Sequence, residues 1–197
     1  MTALAVACCY EVPTMWQPDP VRQTHADYTI EDVLNLPEDA PRVELVDGVM
    51  IVVPSPSVPH QDITGLLWNW LRHHAPQRYK ASFAVGVLVS AANTFEPDVV
   101  LFDREAVGGS HYLEPDRVTL AVEVVSPGTR RRDRVLKPGG YADAGIPYYW
   151  RVEQDPVHVF AYRLSDDRTY HLMAESTELL ELSEPFEIKL PVQEITP

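Results

Sequence analysis

The chain has 197 residues, 45% of them hydrophobic, which suits one globular unit with a substantial core and excludes a disordered regulator. Lys and Arg total 16 against 29 Asp and Glu, a formal net charge of −13 that excludes avid nonspecific binding of polyanions. The two cysteines, Cys8 and Cys9, are adjacent and cannot staple a fold, which fits a reducing cytoplasm.

Residues 1–25 read as a tail, and a single domain is expected over 26–197. The opening apolar run from Ala3 to Cys9 is short, lacks a basic region before it and is followed by Glu11 and Pro13. Neither a secretory signal nor a membrane span is expected there. Thr29 followed by Asp32 predicts a capped short helix that Pro37 stops. Two β-rich runs, Arg42 to Val46 and Val49 to Val53, are joined by Asp47-Gly48, the strongest short hairpin signal. Alternation puts Glu44 opposite Val43 and Leu45, which on this pattern alone fits a solvent-facing strand residue as well as a functional one.

Three prolines in Pro54-Ser55-Pro56-Ser57-Val58-Pro59 make a stiff loop. A helix follows from about His60 to Ala75, with Ile63, Leu66, Leu67, Trp70 and Leu71 as its apolar face, and His60 is expected at the surface. Tyr79 to Ala91 reads as one strand, with Gly86 marking a bulge. Later, Tyr148 to Val152 and Val157 to Tyr162 read as strands about Asp155-Pro156, and Thr169 to Ala174 pairs with Glu178 to Leu182 in a final hairpin.

The chemistry lies between these segments. Glu96-Pro97-Asp98-Val99-Val100-Leu101-Phe102 and Val118-Thr119-Leu120-Ala121-Val122-Glu123-Val124-Val125 are β-branched runs that each carry an acid where a core strand would be apolar. The second run is apolar on both alternating faces, so Glu123 should be shielded from water. A lone buried carboxylate neutralises unless it is paired or holds a cation. The bland alternative is that Glu123 caps a loop or pairs with one of the arginines at 130–134. Asp98 and Glu123 on neighbouring strands would form a hard-oxygen site suited to Mg²⁺ or Mn²⁺. Arg130, Arg131 and Arg132, directly after the Glu123 strand, and His60 near the proline loop are candidate nucleic-acid contacts, although a run of arginines alone also fits a solvated helix start. Asp133, Lys137 and Tyr141 would share one helix face, but Pro138 should kink or break that helix near Lys137.

Pro97-Asp98 followed by a strand with Glu123 resembles the PD-(D/E)XK nuclease signature. The wider ordered set runs through Glu44-Leu45-Val46-Asp47-Gly48, Pro54-Ser55-Pro56 with His60-Gln61, Pro97-Asp98-Val99, Val122-Glu123-Val124-Val125-Ser126-Pro127 and Lys137 to Tyr141-Ala142-Asp143-Ala144-Gly145-Ile146-Pro147. Over residues 28–165 this is similar to the Uma family, described as putative restriction endonucleases. The resemblance implies an α/β restriction-endonuclease-like fold, a mixed central sheet flanked by helices, with Asp98 and Glu123 as metal ligands and Glu44 as a further acidic site residue. An endonuclease acting on DNA with Mg²⁺ or Mn²⁺ is expected, cytoplasmic by its cysteine usage and homodimeric because two symmetric sites cut the two strands of a duplex and 197 residues leave little room for a second domain. One departure stands out: Val125 occupies the position where the signature has lysine, so Lys137 is the natural substitute and Lys80 a weaker one. The competing expectation is an inactive member that keeps the fold as a module binding DNA or protein.

Overall fold

The computed structural model describes residues 28–37, 39–106, 112–126, 128 and 132–197. The tail, both cysteines, the Gly108-Gly109-Ser110 loop, Pro127, Thr129, Arg130 and Arg131 therefore lie outside the described residues.

Helix α1 (Ile30–Leu34) begins where the Thr29/Asp32 pattern places it, with Asp32 Oδ2 accepting from the Thr29 amide at 2.9 Å and from its hydroxyl at 3.1 Å. Strands β1 (Val43–Val46) and β2 (Val49–Val52) form the expected hairpin, and both Asp47 (φ 48°) and Gly48 (φ 75°) take the left-handed conformation that a two-residue turn of matching twist requires. Helix α2 (Val58–His74) starts two residues earlier than expected, with Pro59 in the first turn where no amide donor is needed. Its buried face is Ile63, Leu67, Trp70 and Leu71; Leu66, counted into that face from spacing, is 37% exposed.

The single strand expected from Tyr79 to Ala91 is two strands in different sheets. β3 (Tyr79–Ser82) ends at a break where Ala84 has φ 54°, and β4 (Gly86–Ser90) begins in another sheet. Gly86 marks a close approach instead of a bulge: a Cβ there would lie 2.4 Å from the Tyr112 ring. Strands β5 (Asn93–Phe95), β6 (Val99–Asp103), β7 (Tyr112–Leu113), β8 (Val118–Val124), β9 (Tyr148–Gln154), β10 (Val157–Leu164), β11 (Tyr170–Ser176), β12 (Leu179–Leu182) and β13 (Ile188–Pro191) complete the set. The expected last hairpin does not form, because β11 pairs with β10 while β12 pairs with β13, a strand the pattern did not reveal.

A mixed six-stranded sheet, ordered β11-β10-β9-β8-β6-β3, forms the centre, with β8 and β9 parallel and the other neighbours antiparallel. Alternation along β8 sends Leu120, Val122 and Val124 to one face, against α2 and the β12–β13 ladder. It sends Ala121 and Glu123 to the other, where α3 (Lys137–Asp143) and a five-stranded sheet, β2-β1-β5-β4-β7, cover them. This is the restriction-endonuclease-like architecture, and β8 is buried on both faces as its composition requires. The Glu96-Pro97-Asp98 segment is the crossover from β5 in the second sheet to β6 in the central one.

Candidate active site

Five segments meet at that crossover in a cleft of about 300 Å³. β1 supplies Glu44, the start of α2 His60, the crossover Glu96 and Asp98, β8 Glu123, and α3 with the turn before it Arg132, Asp133 and Lys137. Glu44 and Glu123 are each 2% exposed, so of the two readings open for Glu44 the solvent-facing one fails: β1 turns it into the cleft, against Lys137, Arg132 and the Glu96 amide.

Lys137 stands at the centre of the charges. Its Nζ lies 2.9 Å from both oxygens of Glu123 and 3.0 Å from Glu44 Oε1. The Tyr141 hydroxyl, one turn along α3, donates to Glu123 Oε1 at 2.7 Å. Glu44 also pairs with Arg132 and accepts from the Glu96 amide at 3.1 Å, while Glu96 is held by Arg42 through two bonds of 2.5 and 3.2 Å. Glu123 thus pairs with Lys137; of the arginines offered as its bland partner, Arg132 pairs with Glu44 and Arg134 with Glu153, while Arg130 and Arg131 lie outside the described residues.

The proline problem has a local solution. Arg132–Leu136 forms a π-helical turn, wider than an α turn, and the α3 geometry begins only at Lys137. Pro138 then sits in the first turn of α3, and the helical run, continuous from Arg132 to Asp143, is widened where its clash with the Arg134 carbonyl would fall. Asp133, Lys137 and Tyr141 are all buried on one face. The Tyr149 hydroxyl holds the turn by donating to the Asp133 carbonyl at 2.5 Å.

Asp98 is held from two sides through Oδ2, by the Val124 amide at 2.7 Å and by His60 Nε2 at 3.1 Å. Its Oδ1 accepts no hydrogen bond from any described residue and the side chain is 23% exposed to the cleft. His60 is buried at 7% exposure, so the surface expectation for it fails: helix α2 starts early enough to turn the imidazole inward onto Asp98. Burial opposes the imidazolium, yet the hydrogen bond and charge of Asp98 outweigh it and raise the His60 pKa. Of the other candidates, Arg132 is in the cleft as a partner of Glu44, and Lys80 lies exposed on edge strand β3, outside the cleft lining.

Burial pushes the Glu123 carboxyl up to about 8; Lys137 pulls it down, and Asp98 and Asp133 push it further up. Because this lies above the ordinary 4.5, the native state keeps a proton that the unfolded chain has released between those values. The resulting stabilisation is fully present below about 4.5 and is lost as pH rises through about 8. The stability of the parent relative to Glu123→Gln should fall across that window in denaturant melts at its two ends. A flat difference would mean that Lys137 keeps the carboxylate ionised throughout.

Among the described residues five carboxyl groups, Glu44, Glu96, Asp98, Glu123 and Asp133, line the cleft with three fixed cations, Arg42, Arg132 and Lys137. The surplus of carboxyl groups over fixed cations among the described residues, the Asp98 Oδ1 to which no described residue donates and the oxygen atoms of Asp98 and Glu123 fit a hard divalent ion. Among the described residues no group of three or more His, Cys, Asp or Glu side chains could hold an ion by itself, so Asp98 and Glu123 would need water or substrate oxygens to complete the shell.

Comparison with known proteins bears on what this arrangement is for. The family model Uma2, "Putative restriction endonuclease", matches residues 30–193. The chain belongs to the Uma2 family. Among solved structures, a "putative nuclease belonging to DUF820" from Anabaena variabilis is similar over 85% of this chain and 96% of its own, with a TM-score of 0.67 and 20% identity, which is a likeness of fold. The apo form of NucC from E. coli is more distant, at a TM-score of 0.35 and 13% identity over 57% of this chain and 79% of that one. A search of curated proteins gave no match.

Tyr141 is the site residue the motif reading passed over. Its spacing of four from Lys137 was visible, but only the fold shows that the shared face points at Glu123.

Proposed function

We propose that this Uma2 member is a metal-dependent endonuclease that hydrolyses phosphodiester bonds in DNA, with Asp98 and Glu123 as ligands of one Mg²⁺ or Mn²⁺ ion. The observation that carries the reading is the convergence of Asp98, Glu123, Lys137 and Glu44 on one cleft whose acids outnumber its fixed cations. A divalent ion bound there would supply charge neutralisation at the scissile phosphate and an acidified water.

The chain's own residues prepare that chemistry. His60 and the Val124 amide fix Asp98 through one oxygen and leave the other facing the cleft. Lys137, anchored between Glu44 and Glu123, keeps an ammonium beside the ligands, where it stabilises charge growing on the phosphate. Tyr141 holds the rotamer of Glu123 by its hydrogen bond. Arg130 and Arg131 contact the nucleic-acid backbone. On duplex DNA the same reading calls for a homodimer with one site per strand, against which light scattering is compared with the 22.2 kDa chain.

Purified protein should cut DNA in Mg²⁺ or Mn²⁺ and not in chelator, and its thermal midpoint should rise on adding either ion. Binding without cleavage in any divalent ion, across single- and double-stranded DNA and RNA, would replace this reading with that of a nucleic-acid-binding module.

A further inference from the structure

Beside the site cleft lies a second cavity of about 340 Å³ between α2 and edge strand β3, and Phe83 lines both. Its walls include Trp68, Arg72, Lys80, Phe83 and Arg104, and no carboxylate among the described residues lines it. That is unexpected by charge alone in a chain with 29 acids against 16 bases.

The cations are available. Arg72 and Lys80 are exposed, and neither forms an ion pair with any described residue. The Arg72 guanidinium lies 5.2 Å from the Trp68 ring centroid, and Trp68 meets Phe83 edge to face at 5.2 Å. Phe83 remains 48% exposed at the mouth shared with the site cleft. The next residue, Ala84, is held at φ 54°, a conformation an L-residue with a Cβ adopts at a cost. A lysine on an edge strand also deters strand pairing, but that role asks for neither an exposed phenyl ring nor an arginine across the groove.

The geometry points to this groove as the path of an unpaired stretch of the substrate strand. The strand leaves the site cleft past Phe83, stacks a base on that ring and sets its phosphates against Arg72 and Lys80. Aromatic rings interleaved with unpaired cations are what a single strand recognises, because each free base offers a π-face and each phosphate a charge. Duplex DNA keeps its bases stacked on each other and gains only the charge. The inference rests on the nuclease reading above and adds the form and direction of the bound strand.

The test is anisotropy of dye-labelled single-stranded and duplex DNA in chelator, with cleavage in Mg²⁺ measured in parallel. Phe83→Ala should weaken single-strand binding by about fivefold to a hundredfold, the range of one lost stacked base, and change duplex binding less. The double variant Arg72→Ala with Lys80→Ala should reduce the slope of log affinity against log salt by about 1.4, since each phosphate neutralised on a single strand contributes about 0.7. Lys189→Ala, which removes an exposed charge on β13, should match the parent, and circular dichroism should show every variant folded. Parent-like binding and cleavage in the groove variants would overturn the groove and leave the nuclease reading intact. An equal loss in Lys189→Ala, or a Phe83→Ala change that is the same on duplex, would also overturn it. A folded parent that neither binds nor cuts any nucleic acid would end both.

Discussion

Replacing Lys137 by methionine is expected to lower cleavage by about a hundredfold or more, the scale of losing one preorganised electrostatic group. The same change should cost about 3–5 kcal/mol of stability, as breaking a buried ion pair from one side does. The geometry gives the reason for both. The ammonium is 7% exposed, lies 2.9 Å from Glu123 and 3.0 Å from Glu44, and faces the cleft that Asp98 opens onto. Methionine keeps most of the volume and removes the charge together with the hydrogen bonds the ammonium donates to Glu123. Glu44 would retain Arg132 and Glu123 would retain the Tyr141 hydroxyl, so the cost falls mainly on Glu123. That carboxyl is already displaced upward by burial, and without its cation it takes up a proton more readily. The stability deficit of Lys137→Met should therefore shrink as pH falls, which denaturant melts on either side of the Glu123 titration would read. A lysine merely paired on a helix surface would cost a few tenths of a kcal/mol with no such pH dependence. Unchanged cleavage in this variant, in an assay where an Asp98 variant is inactive, would leave the two carboxylates to act without it.

Asp98→Asn is expected to abolish cleavage and the metal-induced rise in thermal midpoint while leaving the fold in place. The amide is isosteric with the carboxylate, and its oxygen can still accept from the Val124 amide and from His60. What it loses is one negative charge from a cleft in which the described carboxyl groups outnumber the described fixed cations. A hard divalent ion prefers a carboxylate oxygen to an amide oxygen, so affinity goes with the charge. Stability without metal should stay close to the parent, because both hydrogen bonds survive and the side chain is partly exposed. Titrating Mn²⁺ into parent and variant by calorimetry separates binding from turnover. A normal metal isotherm for the asparagine variant would place the ion elsewhere in the cleft. A large loss of metal-free stability would instead make Asp98 a structural acceptor between α2 and β8.

Both expectations depend on placing a lysine that the chain does not carry in its usual strand position. Val125 is 4% exposed and its amide donates to the Val152 carbonyl at 2.8 Å, so the backbone there serves the link between β8 and β9. The cation comes from the next element instead. Fourteen residues on, the π-helical turn carries Lys137 back over Glu123.

What the sequence determined by itself was local and periodic. The Asp47-Gly48 hairpin, the two-sided burial of β8, the apolar face of α2 and the departure from α geometry before Pro138 each follow from preferences spanning a few residues, such as left-handed φ, alternation, helical spacing and the missing proline amide. The meeting of Asp98 and Glu123 in one cleft was legible for the same reason, since an acid within a β-branched run is costly to bury without a cation or a donor beside it. Only the tertiary structure decided which sheet a strand joins and which way a polar side chain points. β3 and β4 look like one strand until they join separate sheets, and β12 looks like the partner of β11 until β13 takes it. Glu44 and His60 gave no local sign of burial, because what covers them is Lys137, Arg132 and the Glu96 segment over Glu44 and the approach of α2 to Asp98, contacts made across 38 residues or more. Local pattern encodes a residue's own backbone and face, whereas the partner of a buried charge is set by the packing of distant elements, where desolvation forces every carboxylate to find a cation, a donor or a proton.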